Sequence, residues 1–118
     1  MAYHYDYILR QIEIISSTLA YMLFGKKLQV EQIDPRQNMD SDLYLLLSGL
    51  VRQGMVCQAE DLLYEALEDP TPGVLQAAWC FYSDLNEFSD EYLQTVRFSR
   101  QEILEGLQNV SDICGFTV

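Results

Sequence analysis

Glu102 and Glu105 stand one helical turn apart in the segment FSRQEILEGL. That spacing could pair a general acid with a general base, or hold a cation between two carboxylates. Helix surfaces carry many such pairs, so the ordinary reading is a solvated face. Cysteines occur at positions 57, 80 and 114, and His4 is the sole histidine. A Cys–His nucleophile would need the start of the chain to fold over one of those thiols. The odd count and the lack of a C-x-x-C pair argue against a zinc site and against structural disulfides. Asp34, Asn38, Asp40 and Asp42 faintly resemble a calcium loop. The spacing is wrong, however, the central glycine is absent and no glutamate closes the loop at its twelfth position. The chain is therefore expected to be non-catalytic, with no metal site and no cofactor.

Composition narrows the partners. The chain has 118 residues, 49% hydrophobic and 21% charged, which suits one folded domain with its own core. Its net charge of −11 is unevenly spread. Residues 1 to 36 are neutral, with Asp6, Glu13, Glu31 and Asp34 balanced by Arg10, Lys26, Lys27 and Arg36, so the whole −11 falls on the remainder. An acidic surface repels phosphates and anionic lipid, which excludes nucleic acid and membrane surfaces as expected partners. Asp6, Arg10 and Glu13 interrupt the apolar run that a signal peptide would need, and the longest apolar stretch, around residues 43–51, is far short of the ~20 residues of a membrane span. A cytoplasmic location is expected.

The elements that must position these side chains are read from spacing. Ile8, Ile12, Ile15, Leu19 and Met22 follow 4-3-4-3 spacing, which predicts a long helix over about 3–24 with one apolar stripe. Tyr7, Ile14 and Tyr21 form a second row seven residues apart, so the apolar face is wider than one neighbour needs. It either buries deeply or self-associates, and the stripe from Ile8 to Met22 is the candidate seam. Gly25 and Lys26-Lys27 suit a helix end. Residues 26–40 read as a connector pinned by Leu28, Val30 and Ile33. A helical hairpin over 41–68 follows, capped by Asp40 or Ser41, with Leu43, Leu46, Leu47 and Leu50 as the buried face of its first helix and Gly54 in the turn. Its second helix presents Ala59, Leu62, Leu63, Ala66 and Leu67.

Further helices fill 72–115. Thr71 can cap a helix with Pro72 at its first position. Ser89 can cap a short one around 92–96. Ser99 with Glu102 makes a capping box for the last, which ends at Gly115. No segment alternates as a strand would. The expected fold is all-α, a five- to six-helix bundle.

The segment from Leu43 to Leu67 resembles a single tetratricopeptide-type repeat, with Ala59 and Ala66 at its small positions and Leu43, Leu46 and Leu50 at its large ones. Pro70 comes one residue early, and Leu47 stands where Gly or Ala is usual. Thirty-four residues on from the two alanines stand Leu93 and Arg100, so no second repeat follows. Used as such repeats are, the hairpin would present Tyr44, Ser48 and Arg52 on the inner side of its first helix. Arg52 would then take a peptide carboxylate while Tyr44 packs on an apolar side chain. The arrangement as a whole resembles a family of small acidic all-helical proteins, found mainly in Gram-positive bacteria and classed as a domain of unknown function. That resemblance rests on YDYILRQIEIISSTLAYMLFGK and FSRQEILEGL, and it implies a fold and no chemistry.

The expected function is a protein-interaction or scaffold module that recognises a protein partner, or itself, by helix packing. The alternative is an acidic regulatory inhibitor that shows its Asp and Glu faces to a basic protein surface.

Overall fold

A computed structural model describes the backbone of residues 2–24 and 40–115, with side chains from Asp6 onward. The expected cap at Gly25 and the connector, apart from Asp40, lie outside the described residues. Within them the chain is all-helical: α1 (Ala2–Phe24), α2 (Ser41–Arg52), α3 (Val56–Leu67), α4 (Pro72–Asn86), α5 (Asp90–Thr95) and α6 (Arg100–Cys114). The expected boundaries hold to within about two residues, because most helix starts are set by local hydrogen bonds. The side chains of Asp40, Thr71, Ser89 and Ser99 each accept from a backbone N–H three residues on, at Leu43, Val74, Tyr92 and Glu102. Ser99 and Glu102 complete a capping box.

Three helix ends among the described residues turn through the left-handed region, the last at Gly115, φ +89°, after α6. Gly54, at φ +80°, follows α2. Its N–H donates to the Val51 carbonyl, and the Met55 N–H reaches back to Leu50 at 2.8 Å, which satisfies two end carbonyls and starts the hairpin. Arg97, at φ 59°, does the same after α5, where the Phe98 N–H donates to the Leu93 carbonyl at 3.0 Å. Leu93 and Phe98 are both buried, and an apolar pair at these two positions accompanies this type of helix end.

The helices pack as two pairs, α1 with α6 and α2 with α3, and α4 contacts all four. A helix in that position must be apolar nearly all round. Accordingly Val74, Ala77, Ala78, Cys80, Phe81, Tyr82 and Leu85 of α4 are all buried. The stripe expected on α1 faces this core through Ile8, Ile12, Ile15 and Leu19, whereas Met22 is 49% exposed. In α2 the buried arc is displaced from the expected one. Leu47 and Val51 are buried, Leu43 and Leu50 half-buried, and Leu46 is 51% exposed. Leu46 falls just past the arc that faces α3 and α4, since each helical residue turns by about 100°. In α3 the expected Ala59 and Leu63 are buried.

Arg100 closes the far end of α4. Its guanidinium donates to the Asn86 carbonyl and side-chain oxygens, each at 2.7 Å, to the Phe88 carbonyl at 2.6 Å and to Asp90 at 3.2 Å. One forked cation thus joins α4, α5 and α6. Arg100→Ala is expected to lower unfolding free energy by about 2–3 kcal/mol, with Lys restoring only part of it, in urea titrations. Two glycines make an opposed pair. A Cβ at Gly106 in α6 would overlap the Tyr82 ring, while one at Gly49 in α2 meets no atom within 4 Å. Gly106→Ala should cost about 1–3 kcal/mol and Gly49→Ala should add about 0.5–1 kcal/mol, read by the same titration.

Candidate functional site

Tyr44, Ser48 and Arg52 line one side of a groove of about 280 Å³ between α2 and α4. Their spacing of four residues sets them in a row along the edge of α2, where the buried arc gives way to solvent. Helix α4 supplies the other bank through Phe81 and Asp84, with Glu87 at its C-cap, and Val51 and Phe88 complete the apolar lining. The Tyr44 hydroxyl donates to the Asp84 carboxylate, which bridges the groove and holds the phenol ring in place. Behind it the Phe88 and Tyr92 rings lie 4.7 Å apart. Arg52 and Glu87 are exposed, one on each bank.

The groove is therefore apolar within and bipolar at its rim. An inserted aromatic or aliphatic side chain would bury against Phe81 and Phe88. The Arg52 fork would meet a carboxylate beside it. All three residues expected on α2 come together here. Phe81, Asp84, Glu87 and Phe88 were not expected. Of these only Phe81 left a signal, the run AAWCFY in α4, which is apolar over consecutive positions and so marks a helix enclosed on all sides.

Glu102 Oε1 accepts from the Ser99 backbone N–H, and Glu105 accepts from the Gln101 amide. None of the three cysteines forms a disulfide; Cys80 is buried, Cys57 exposed and Cys114 between. Burial raises the Cys57 thiol pKa, and Glu102, Glu60 and Asp61 raise it further, which disfavours the nucleophilic thiolate. The His4 side chain lies outside the described residues. Among the described residues no group of three or more His, Cys, Asp or Glu could hold a metal, and no helix is long and apolar enough to cross a membrane.

The most perturbed polar cluster sits where α3, α4 and α6 meet. The buried Tyr82 hydroxyl donates to Glu60 Oε2 at 2.7 Å, and the Tyr64 hydroxyl reaches the same oxygen at 3.4 Å. Burial raises the Glu60 pKa above its ordinary 4.5, with the Glu102 charge adding to it. The two tyrosine hydrogen bonds oppose the rise without cancelling it. Burial likewise pushes the Tyr82 phenol upward, so it remains a donor.

A model of a family of unknown function (DUF6483) matches residues 2–115, and the chain belongs to that family. No curated protein and no solved structure matches it.

Glu60 binds its proton more tightly folded than unfolded. Its contribution to stability is whole below pH 4.5 and is lost as pH rises through its raised folded value. Glu60→Gln keeps an acceptor for Tyr82 without the charge. Relative to wild type it should gain stability, by no more than about 1 kcal/mol for a half-buried group, as pH rises from 4 to 8. Urea midpoints across that range measure the difference, and a constant gap between the two chains would contradict it.

Proposed function

We propose that this chain, a member of a family of unknown function, is a non-catalytic protein-interaction module. It takes an apolar side chain of a partner segment into the α2–α4 groove. The observation that carries the reading is the convergence of Tyr44, Ser48 and Arg52 with Phe81 and Phe88 around one cavity of about 280 Å³, the scale of one large side chain. The hairpin is used here as a tetratricopeptide-like unit would be, with one face of its first helix turned to the ligand. A net charge of −11 keeps nucleic acid and anionic membrane away, and a cytoplasmic setting suits three cysteines that form no disulfide.

A second reading has its own support. Glu60 and Asp61 of α3 and Glu102 of α6 all act on Cys57, so acidic residues from two helices converge on one side of the molecule. Such a face suits an acidic inhibitor of a basic protein surface.

Selection of displayed peptides on the immobilised chain separates the two. Groove recognition is expected to enrich peptides carrying an aromatic or leucine beside an acidic residue. Their binding should survive 1 M salt, where the Debye length is ~3 Å. Ser48→Arg should abolish it by filling the groove, and Arg52→Glu should weaken it about tenfold. Enrichment of basic peptides that release at high salt and ignore Ser48→Arg would overturn the groove reading in favour of the acidic one.

A further inference from the structure

Helix α1 has two apolar faces. Ile8, Ile12, Ile15 and Leu19 are buried in the core. Tyr7, Ile14 and Tyr21, seven residues apart, are 58%, 44% and 56% exposed. We propose that this second face is where two copies of the chain meet, as an antiparallel helix pair with its two-fold axis at Ile14. It lies on a different helix from the α2–α4 groove, and either can fail without the other.

Charge favours a second copy on this face over a meeting elsewhere. Each copy carries −11, yet the side chains from Asp6 to Phe24 include only Asp6, Arg10 and Glu13 as charged groups. Two acidic molecules repel least where their surfaces are nearly neutral.

The row is also self-complementary. Tyr7 and Tyr21 each lie seven residues from Ile14, so a two-fold axis there sets Tyr7 against the partner's Tyr21 and Ile14 against its own copy. A parallel pair would bring Arg10 onto its own copy. The antiparallel pair separates those cations by eight residues, about 12 Å, and places each over the small side chains at Ser17 and Thr18. Glu13 and its copy are then the closest like charges, one 100° step to the side of the axis.

Size sets the strength. A half-exposed tyrosine offers roughly 100 Å² of contact, so the three row residues and Met22 of two copies bring about 700 Å² together, before Gln11, Ser17 and Thr18 are counted. That falls well short of the ~1,200 Å² in total of stable interfaces, and implies a weak dimer whose population depends on concentration.

Sedimentation equilibrium on the full chain, from micromolar to near-millimolar concentration in 0.1 M and 1 M salt, tests this. A monomer–dimer equilibrium that tightens at high salt is expected, because the contact is apolar and the opposing charge is screened. Ile14→Glu should weaken it at least tenfold, with helical circular dichroism and melting unchanged. Ile15→Glu, one residue along and buried, should instead unfold the chain. With Cys57 and Cys114 replaced by serine, Ile14→Cys should form a disulfide-linked dimer on oxidation, and Tyr7→Cys should link to Tyr21→Cys and not to itself. A monomer at every concentration, or a dimer indifferent to Ile14→Glu, would overturn the proposal. Self-linking of Tyr7→Cys would overturn the antiparallel register.

Discussion

The enclosure of α4 is the constraint on which the rest of the structure depends. A helix packed against four others loses water on almost every side, so each polar group it carries inward needs a protein partner. Most find one on a neighbouring helix, although Gln76 Oε1 and Ser83 Oγ are buried without one. The Gln76 amide donates to the Leu23 carbonyl and the Trp79 indole to the Ser16 carbonyl, which fasten α4 to α1. Tyr82 donates to Glu60 of α3, Asp84 accepts from Tyr44 of α2, and the carbonyl at Asn86 accepts from Arg100 of α6. Together these bonds tie α1, α2, α3 and α6 to the centre. A bundle held only by apolar contact could slide along its helices, whereas these donors and acceptors meet in one register.

The groove is a product of that arrangement. Helix α2 packs on α4 through Leu47 and Val51, and its next side chains, Tyr44 and Ser48, sit where the two helices begin to part. Asp84 emerges at the same edge of α4, and its bond to Tyr44 keeps the gap from collapsing or opening. The carboxylate that completes the fold's polar bookkeeping is thus also the one at the rim of the cavity. Glu60 is the counterpart on the other side of α4, where the acceptor is half-buried and holds its proton more tightly as a result.

The helix ends explain why local sequence was so informative here. Asp40, Thr71, Ser89 and Ser99 bond backbone groups three residues away, and Gly54 supplies a left-handed turn, so none of these boundaries needs a distant contact. Arg97 in the left-handed region is the exception. An arginine carries no signal for that conformation, and the burial of Phe98 against the core holds it there.

By itself, the sequence determined the all-helical class, nearly every helix boundary within the described residues, and the row of Tyr44, Ser48 and Arg52 on one side of α2. All of these follow from spacing at 3.6 residues per turn and from capping over three or four residues, which are local physics. Only the tertiary structure decided which apolar residues are spent on the core. Leu46 and Leu47 are adjacent leucines with the same propensity, yet one is exposed and the other buried, because α3 and α4 cover a single arc of α2. The same holds on α1, where Ile14 and Ile15 are chemically identical and only the positions of α4 and α6 distinguish them. Which helix would be enclosed, and hence that Phe81, Asp84 and Phe88 would face Tyr44 across a groove, depends on contacts 30 to 45 residues apart in the chain, beyond the reach of any local pattern.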